Sequence, residues 1–198
     1  MKLIRRLYDW VLTWAESPFG GIALFLISFA ESSFFPIPPD VLLIALCLSR
    51  GDKWVRYAAI CSAGSVLGGM AGYAIGWGLW GQVDQFFFDY VPGFHEDGFI
   101  HVQEIFKEYD FWFVFIAAFT PVPYKVITIS AGVFGLNIVM FTIATVVGRS
   151  ARFFLVAGLM RAFGEQAQKI IDKWFNVLTV VFTILLVLGF YVIKVVLR

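Results

Sequence analysis

The sequence predicts an all-α, polytopic integral membrane protein. It is built on two oppositely inserted re-entrant helical hairpins, an inverted repeat, with about three transmembrane helices and interfacial amphipathic helices. Three observations predict it. Of 198 residues, 60% are hydrophobic, 19% aromatic and only 15% charged, a balance that leaves too little polar surface for a soluble domain. A short segment occurs twice: residues 34–41 read FFPIPPDV and residues 119–126 read FTPVPYKV, 85 positions apart. Both copies carry prolines that no continuous helix accepts without losing backbone hydrogen bonds, and both lie inside long apolar stretches. Duplicated breaks of this kind point to a transporter-like site at a repeat interface.

Along the chain, residues 1–16 come first. Leu3, Ile4, Leu7, Trp10, Val11 and Trp14 share one helical face, with Lys2, Arg5, Arg6, Asp9 and Thr13 elsewhere. This predicts an amphipathic helix at the membrane surface. Asp9 and Glu16 interrupt the run, so it does not read as a signal peptide. The stretch Phe19–Leu48 has 30 residues and is broken at Pro36, Pro38 and Pro39. Two spans of about 20 residues each do not fit in it, whereas a re-entrant hairpin does.

Residues 55–80 give the cleanest full span. It carries Gly64, Gly68, Gly72 and Gly76 at four-residue spacing, which lines small residues along one face and predicts close helix packing. Residues 82–110 are a polar excursion with seven acids and a single lysine, Lys107. Phe99, Val102, Phe106 and Tyr109 recur there at helical spacing, predicting a second interfacial helix. Residues 111–134 repeat the broken pattern at Pro121 and Pro123. Further spans are expected at 136–160 and 174–197, separated by a polar linker at 161–173. The whole is read as a single membrane domain over residues 1–198. Basic residues flanking the first hairpin (Lys2, Arg5, Arg6, Arg50, Lys53, Arg56) place its entry on the cytoplasmic side and the acidic excursion outside.

Five ionisable residues fall at apparent membrane depth: Glu31, Asp40, Lys125, Arg149 and Arg152. Each costs roughly 2.5–3.5 kcal/mol or more unless paired or hydrated. Asp40 and Lys125 occupy matching positions in the two repeats and are expected to pair across their interface. Two acids against three bases leave one positive charge in surplus, which suits an anionic headgroup. Arginine grips phosphate bidentately and lysine as a point charge. Lys125, Arg149, Arg152 and Asp40 are therefore the candidate substrate-binding residues, with Glu31 and Asp40 as candidates for proton coupling. Buried ion pairs also hold hairpins in register with no ligand at all, and that alternative stands beside the first.

The net charge of +1 supplies no basic face for nucleic acid. Cys47 and Cys61 read as small packed hydrophobes rather than a disulfide or ligand pair. His101 and Glu104, with His95 nearby, are read as solvated rather than metal-binding. No Walker, HExxH, GxSxG or Cys–His pattern supports an enzyme. No cofactor or metal is expected. The expected partners are membrane lipids, with proton coupling and self-association left open.

The segments AESSFFPIPPDVLL (30–43), GGMAGYAIG (68–76), FTPVPYKVITISAGVFG (119–135) and GRSARFF (148–154) resemble the DedA family. It is also called the SNARE-associated Golgi or VTT-domain family, and the likeness is greatest to its bacterial YqaA-type branch. The resemblance covers roughly residues 17–160. It implies a multi-pass bacterial inner-membrane protein that moves anionic lipids between leaflets, as a flippase of polyprenyl phosphates or a phospholipid scramblase, in membrane homeostasis. Glu31, Asp40 and Lys125 match the family's functional positions, with lysine where many members carry arginine. Two positions depart from the pattern: Ala118 replaces an arginine, and Gly69 replaces an aspartate in the glycine-rich span. Arg149 or Arg152 is a candidate for the missing positive charge. The alternative function is a non-transporting scaffold or assembly factor.

Overall fold

The computed structural model describes Trp14 and residues 17–34, 38–90, 96–108, 110–120, 123–164 and 166. The amphipathic helix expected at 1–16, Trp14 excepted, and the span expected at 174–197 lie outside these residues, as do the break prolines Pro36 and Pro121. No strand occurs among the described residues. The helices are α1 (Gly20–Ser33), α2 (Asp40–Ser49), α3 (Trp54–Tyr90), α4 (Glu96–Glu108), α5 (Asp110–Phe119), α6 (Tyr124–Val133) and α7 (Ile138–Gly164). Two segments, Gly51–Phe86 and Ile138–Gly164, are long and apolar enough to cross a membrane.

The prolines act where the sequence places them. Pro39 immediately precedes α2 and Pro123 immediately precedes α6. Proline has no N–H to continue a preceding helix, but its fixed φ suits a helix start. At the other end of α6, Gly135 takes a left-handed φ of 63°. The Leu136 N–H then reaches back to the Ala131 carbonyl at 3.0 Å, closing the helix as a glycine cap does. Asn137 starts α7 by accepting the N–H groups of Val139 and Met140 on its Oδ1 at 2.9 and 3.2 Å, an N-cap.

The two long helices run antiparallel. Trp54 stacks edge-on with Phe154, Ser65 bonds Arg149, and Tyr73 packs on Phe141. As the position on α3 rises, its partner on α7 falls. The shorter helices lie on this pair. The backbone of α1 meets α3 at Phe25 against Gly64 and Phe29 against Gly68, so α1 runs parallel to α3. Farther along, Thr128 and Ile129 of α6 meet Gly72 and Gly76, so α6 also runs parallel to α3. The glycine stripe is thus shared, its first half by α1 and its second by α6. At each of these four positions a methyl group would strike a backbone oxygen or the Thr128 side chain.

Gly20, at the start of α1, lies against Leu46 near the end of α2. The two helices therefore fold back on each other about the first proline break. Two apolar clusters result. Ala23, Leu24, Leu42, Leu43 and Leu46 pack with Ala58, Phe153 and Ala157 at one end. Val114, Ala118, Tyr124, Ile127 and Ala131 pack with Phe141 and Ala144 at the other. The internal repeat extends beyond the motif itself. Each half is a short helix, a proline break, a second short helix and a long helix: α1, α2 and α3 in the first, α5, α6 and α7 in the second.

Two expectations are corrected. The span read as 55–80 continues as helix to Tyr90. Residues 82–90 hold no proline, Pro92 being the first breaker beyond them, so polarity alone does not stop the helix. The apolar stripe of α4 does not simply face a membrane surface. Phe99 stacks on Trp80 at 4.9 Å between ring centres, Phe106 packs on Phe113 and Phe134, and Gln103 donates to the Phe134 carbonyl at 2.9 Å. Phe99 and Phe106 of the stripe are thus covered by the protein's own aromatic residues, while Tyr109 lies outside the described residues.

Candidate functional site

Between the two apolar clusters, in the first third of α3 and near the middle of α7, lies a polar layer. Ser28, Ser32, Ser33, Ser62, Ser65, Thr128, Thr145 and Arg149 are all buried. Buried hydroxyls are tolerated when each finds a partner, and these do. Ser28 donates to the Cys61 carbonyl at 2.7 Å, and Ser33 to those of Phe29 and Gly68 at 2.7 and 3.0 Å. Ser32 and Ser65 share a hydrogen bond of 2.7 Å, Thr128 donates to the Ser32 carbonyl at 2.9 Å, and Tyr124 pairs with Thr145 at 2.6 Å.

Arg149 occupies the centre of this layer, its side chain only 3% exposed. One Nη donates to Glu31 Oε2 at 2.7 Å, and Nε donates to Ser65 Oγ. The guanidinium also lies over two rings, 4.8 Å from the Tyr124 centre and 4.6 Å from that of Phe153. A carboxylate, a hydroxyl and two ring faces together offset much of the desolvation of a buried cation. Arg152, one turn on, faces a wetter place. It binds Asp40 through two bonds, Nη2 to Oδ2 at 3.0 Å and Nε to Oδ1 at 3.3 Å. Its remaining Nη donates to the Thr120 carbonyl at 2.6 Å. Arg152 and Asp40 are 18% and 20% exposed.

The positions of these partners give the site its logic. Glu31 and Asp40 flank the first break; Thr120 and Tyr124 flank the second. Arg149 joins Glu31 to Tyr124, and Arg152 joins Asp40 to Thr120. Arg149 and Arg152 of α7 therefore each tie both breaks together. Helix polarity helps Arg152. Asp40 sits in the first turn of α2, the positive end of that helix, while Thr120 offers a carbonyl just past the end of α5, its negative end. Glu31, near the end of α1, has the opposite arrangement, and Arg149 offsets it.

The expected Asp40–Lys125 pair does not form: Asp40 pairs with Arg152. The two residues do hold equivalent places in the repeat. Equivalent residues meet only on the axis that relates the repeats, whereas α2 lies against α7 here and α6 lies against α3. Lys125, half-buried, makes no ion pair among the described residues. The surplus positive charge of the constellation is thus Lys125 itself. A methyl group at Gly69, where the resembled family carries an acid, would stand 3.5–3.6 Å from Thr128, Thr145 and Tyr124, and Ala118 is buried against Gly148.

The hydroxyl layer escaped the sequence reading. The available signal was Ser28 and Ser32 at four-residue spacing, matched by Ser65 beside the glycine stripe. Cys47 and Cys61 are free and buried. Among the described residues no three of His, Cys, Asp and Glu gather as a metal site would require.

Comparison with known proteins adds to this geometry. The VTT domain matches residues 37–162. An uncharacterized protein of Haemophilus influenzae is 34% identical over 194 residues, covering 98% of this chain and all of the relative. A second uncharacterized protein, from Histophilus somni, is 33% identical over 174 residues, 84% of this chain and 85% of its own length. No solved structure matches.

Proposed function

The chain belongs to the VTT-domain family, the domain of the DedA proteins, and from that premise we propose that it moves an anionic lipid between membrane leaflets. Proteins of this family are membrane proteins, and the two long apolar helices accord with that. The observation that carries the proposal is Lys125. It is a half-buried cation, without an ion-pair partner among the described residues, at the start of a helix that opens from a proline break. A cation so placed is held at a desolvation cost that an anionic headgroup would relieve.

In this reading the helix pairs at the two breaks, α1 with α2 and α5 with α6, are re-entrant. Their helices have 14, 10, 10 and 10 residues. At 1.5 Å per residue the longest reaches about 21 Å, short of a hydrocarbon core of about 30 Å. Irregular backbone at that depth belongs where protein or a wet cavity covers it, and the arginine ties at the breaks provide such cover. The headgroup enters beside Lys125, with acyl chains left in lipid. The partly exposed Arg152–Asp40 pair is the second group that a phosphate meets. Glu31, held by Arg149, is the carboxyl whose protonation would release that arginine and couple movement to protons.

The alternative, a scaffold that moves no lipid, has its own supporting observation. Four of the five membrane-depth charges already neutralise one another in pairs. Reconstitution separates the two readings. Purified protein in vesicles should accelerate leaflet exchange of a labelled anionic phospholipid or polyprenyl phosphate more than that of a zwitterionic lipid. Exchange at the rate of protein-free vesicles for every lipid would favour the scaffold.

A further inference from the structure

A second candidate site lies away from the charged layer. Between the start of α1, the end of α2 and the start of α3 is a cavity of about 420 Å³. Arg50, Lys53 and Arg56 contribute to its lining, as do Ile22, Phe25 and Ile60. The three basic residues are exposed, and no carboxylate pairs with them among the described residues. Ile22 is 59% exposed beside them, so an apolar surface continues outward from the cavity. Gly21 also lines the cavity, and a methyl there would stand 3.4 Å from Ile60 Cδ1.

We propose that this cavity binds the headgroup of an anionic phospholipid as a standing lipid site. Arg50, Lys53 and Arg56 hold the phosphate, and one acyl chain lies along Ile22, Phe25 and Ile60. Two guanidinium forks and an ammonium match phosphate oxygens. The apolar walls select a lipid over a free phosphate, because only a lipid covers them. The site does not depend on lipid being transported at Lys125.

Native mass spectrometry of the protein released from micelles tests this, with phosphatidylglycerol and phosphatidylcholine as probes. The parent should retain one phosphatidylglycerol at least about ten-fold more tightly than phosphatidylcholine. Each neutralisation, Arg50→Gln, Lys53→Gln or Arg56→Gln, should weaken retention by about five-fold, the equivalent of about 1 kcal/mol per basic residue near a membrane surface. Gly21→Leu should weaken it with all three charges intact, and Lys107→Gln on α4 should leave it unchanged. Millimolar inorganic phosphate should not displace the lipid. Equal retention of the two lipids would overturn the proposal, as would full retention by the Lys53→Gln and Gly21→Leu proteins. Displacement by inorganic phosphate would reassign the cavity to a soluble anion.

Discussion

At the scale of single residues, the charged layer shows how an apolar environment dictates pairing. Arg149 is held by Glu31, Ser65 and two rings, with almost no exposure. Arg149→Ala or Glu31→Ala strands the partner as a buried charge and should cost roughly 3–5 kcal/mol. The double change Glu31→Leu with Arg149→Met should recover most of that. Unfolding in mixed micelles would measure it, and single variants as stable as the parent would contradict the pairing. The Asp40–Arg152 pair is more exposed, so its coupling in a double-mutant cycle should be the smaller of the two. The expense of these charges was legible in the sequence, because five ionisable groups in apolar stretches demand partners. Which partner each takes was not. Repeat matching sets Asp40 against Lys125, yet the positions 85 before Arg149 and Arg152 are Gly64 and Leu67. Only one half of the repeat carries the arginines, so pairing follows packing across the halves rather than sequence equivalence.

At the scale of elements, the glycine stripe and the proline breaks were legible because their chemistry is local. Four-residue spacing makes a flat helix face wherever the helix lies, and a proline ends a helix whatever its neighbours are. The partners on that face were not legible, since α1 and α6 reach it from distant parts of the chain. The contrast along α3 gives a direct prediction. Gly68→Ala drives a methyl into the Phe29 carbonyl and should destabilise by about 1–3 kcal/mol, as overpacking does. Gly78→Ala meets nothing within 4 Å and should leave stability unchanged or raise it by up to about 1 kcal/mol through helix propensity. Melting temperatures in one detergent would check both. Equal effects at the two positions would show that α1 does not lie on this face. Helix ends were less legible: polarity at 82–90 suggested a loop, but without a breaker the backbone stays helical.

At the scale of the whole molecule, the antiparallel α3 and α7 separate charge along their length. Arg50, Lys53, Arg56 and Arg161 gather at the end where α3 begins and α7 finishes, and Gly51 lies against Arg161 there. Asp97, Glu104 and Glu108 belong to α4, which packs on Trp80 in the far half of α3. Basic residues favour the cytoplasmic side. Single cysteines replacing Arg50 and Arg161 should therefore react with an impermeant thiol reagent only from the cytoplasm, and those replacing Asp97 and Glu104 only from outside. Reaction of all four from one side would refute the arrangement.

We propose that the paired charges hold the two breaks together and leave Lys125 to meet an anionic lipid. Leaflet exchange of that lipid in vesicles, compared among the parent, Lys125→Arg and Lys125→Gln, tests it most directly. All three proteins should fold alike, because Lys125 has no ion-pair partner to strand among the described residues. Lys125→Arg should keep exchange within a few-fold of the parent, since the charge is preserved, and Lys125→Gln should lose at least about ten-fold, equivalent to roughly 1.4 kcal/mol of headgroup stabilisation. Exchange by a well-folded Lys125→Gln protein at the parent's rate would contradict the claim.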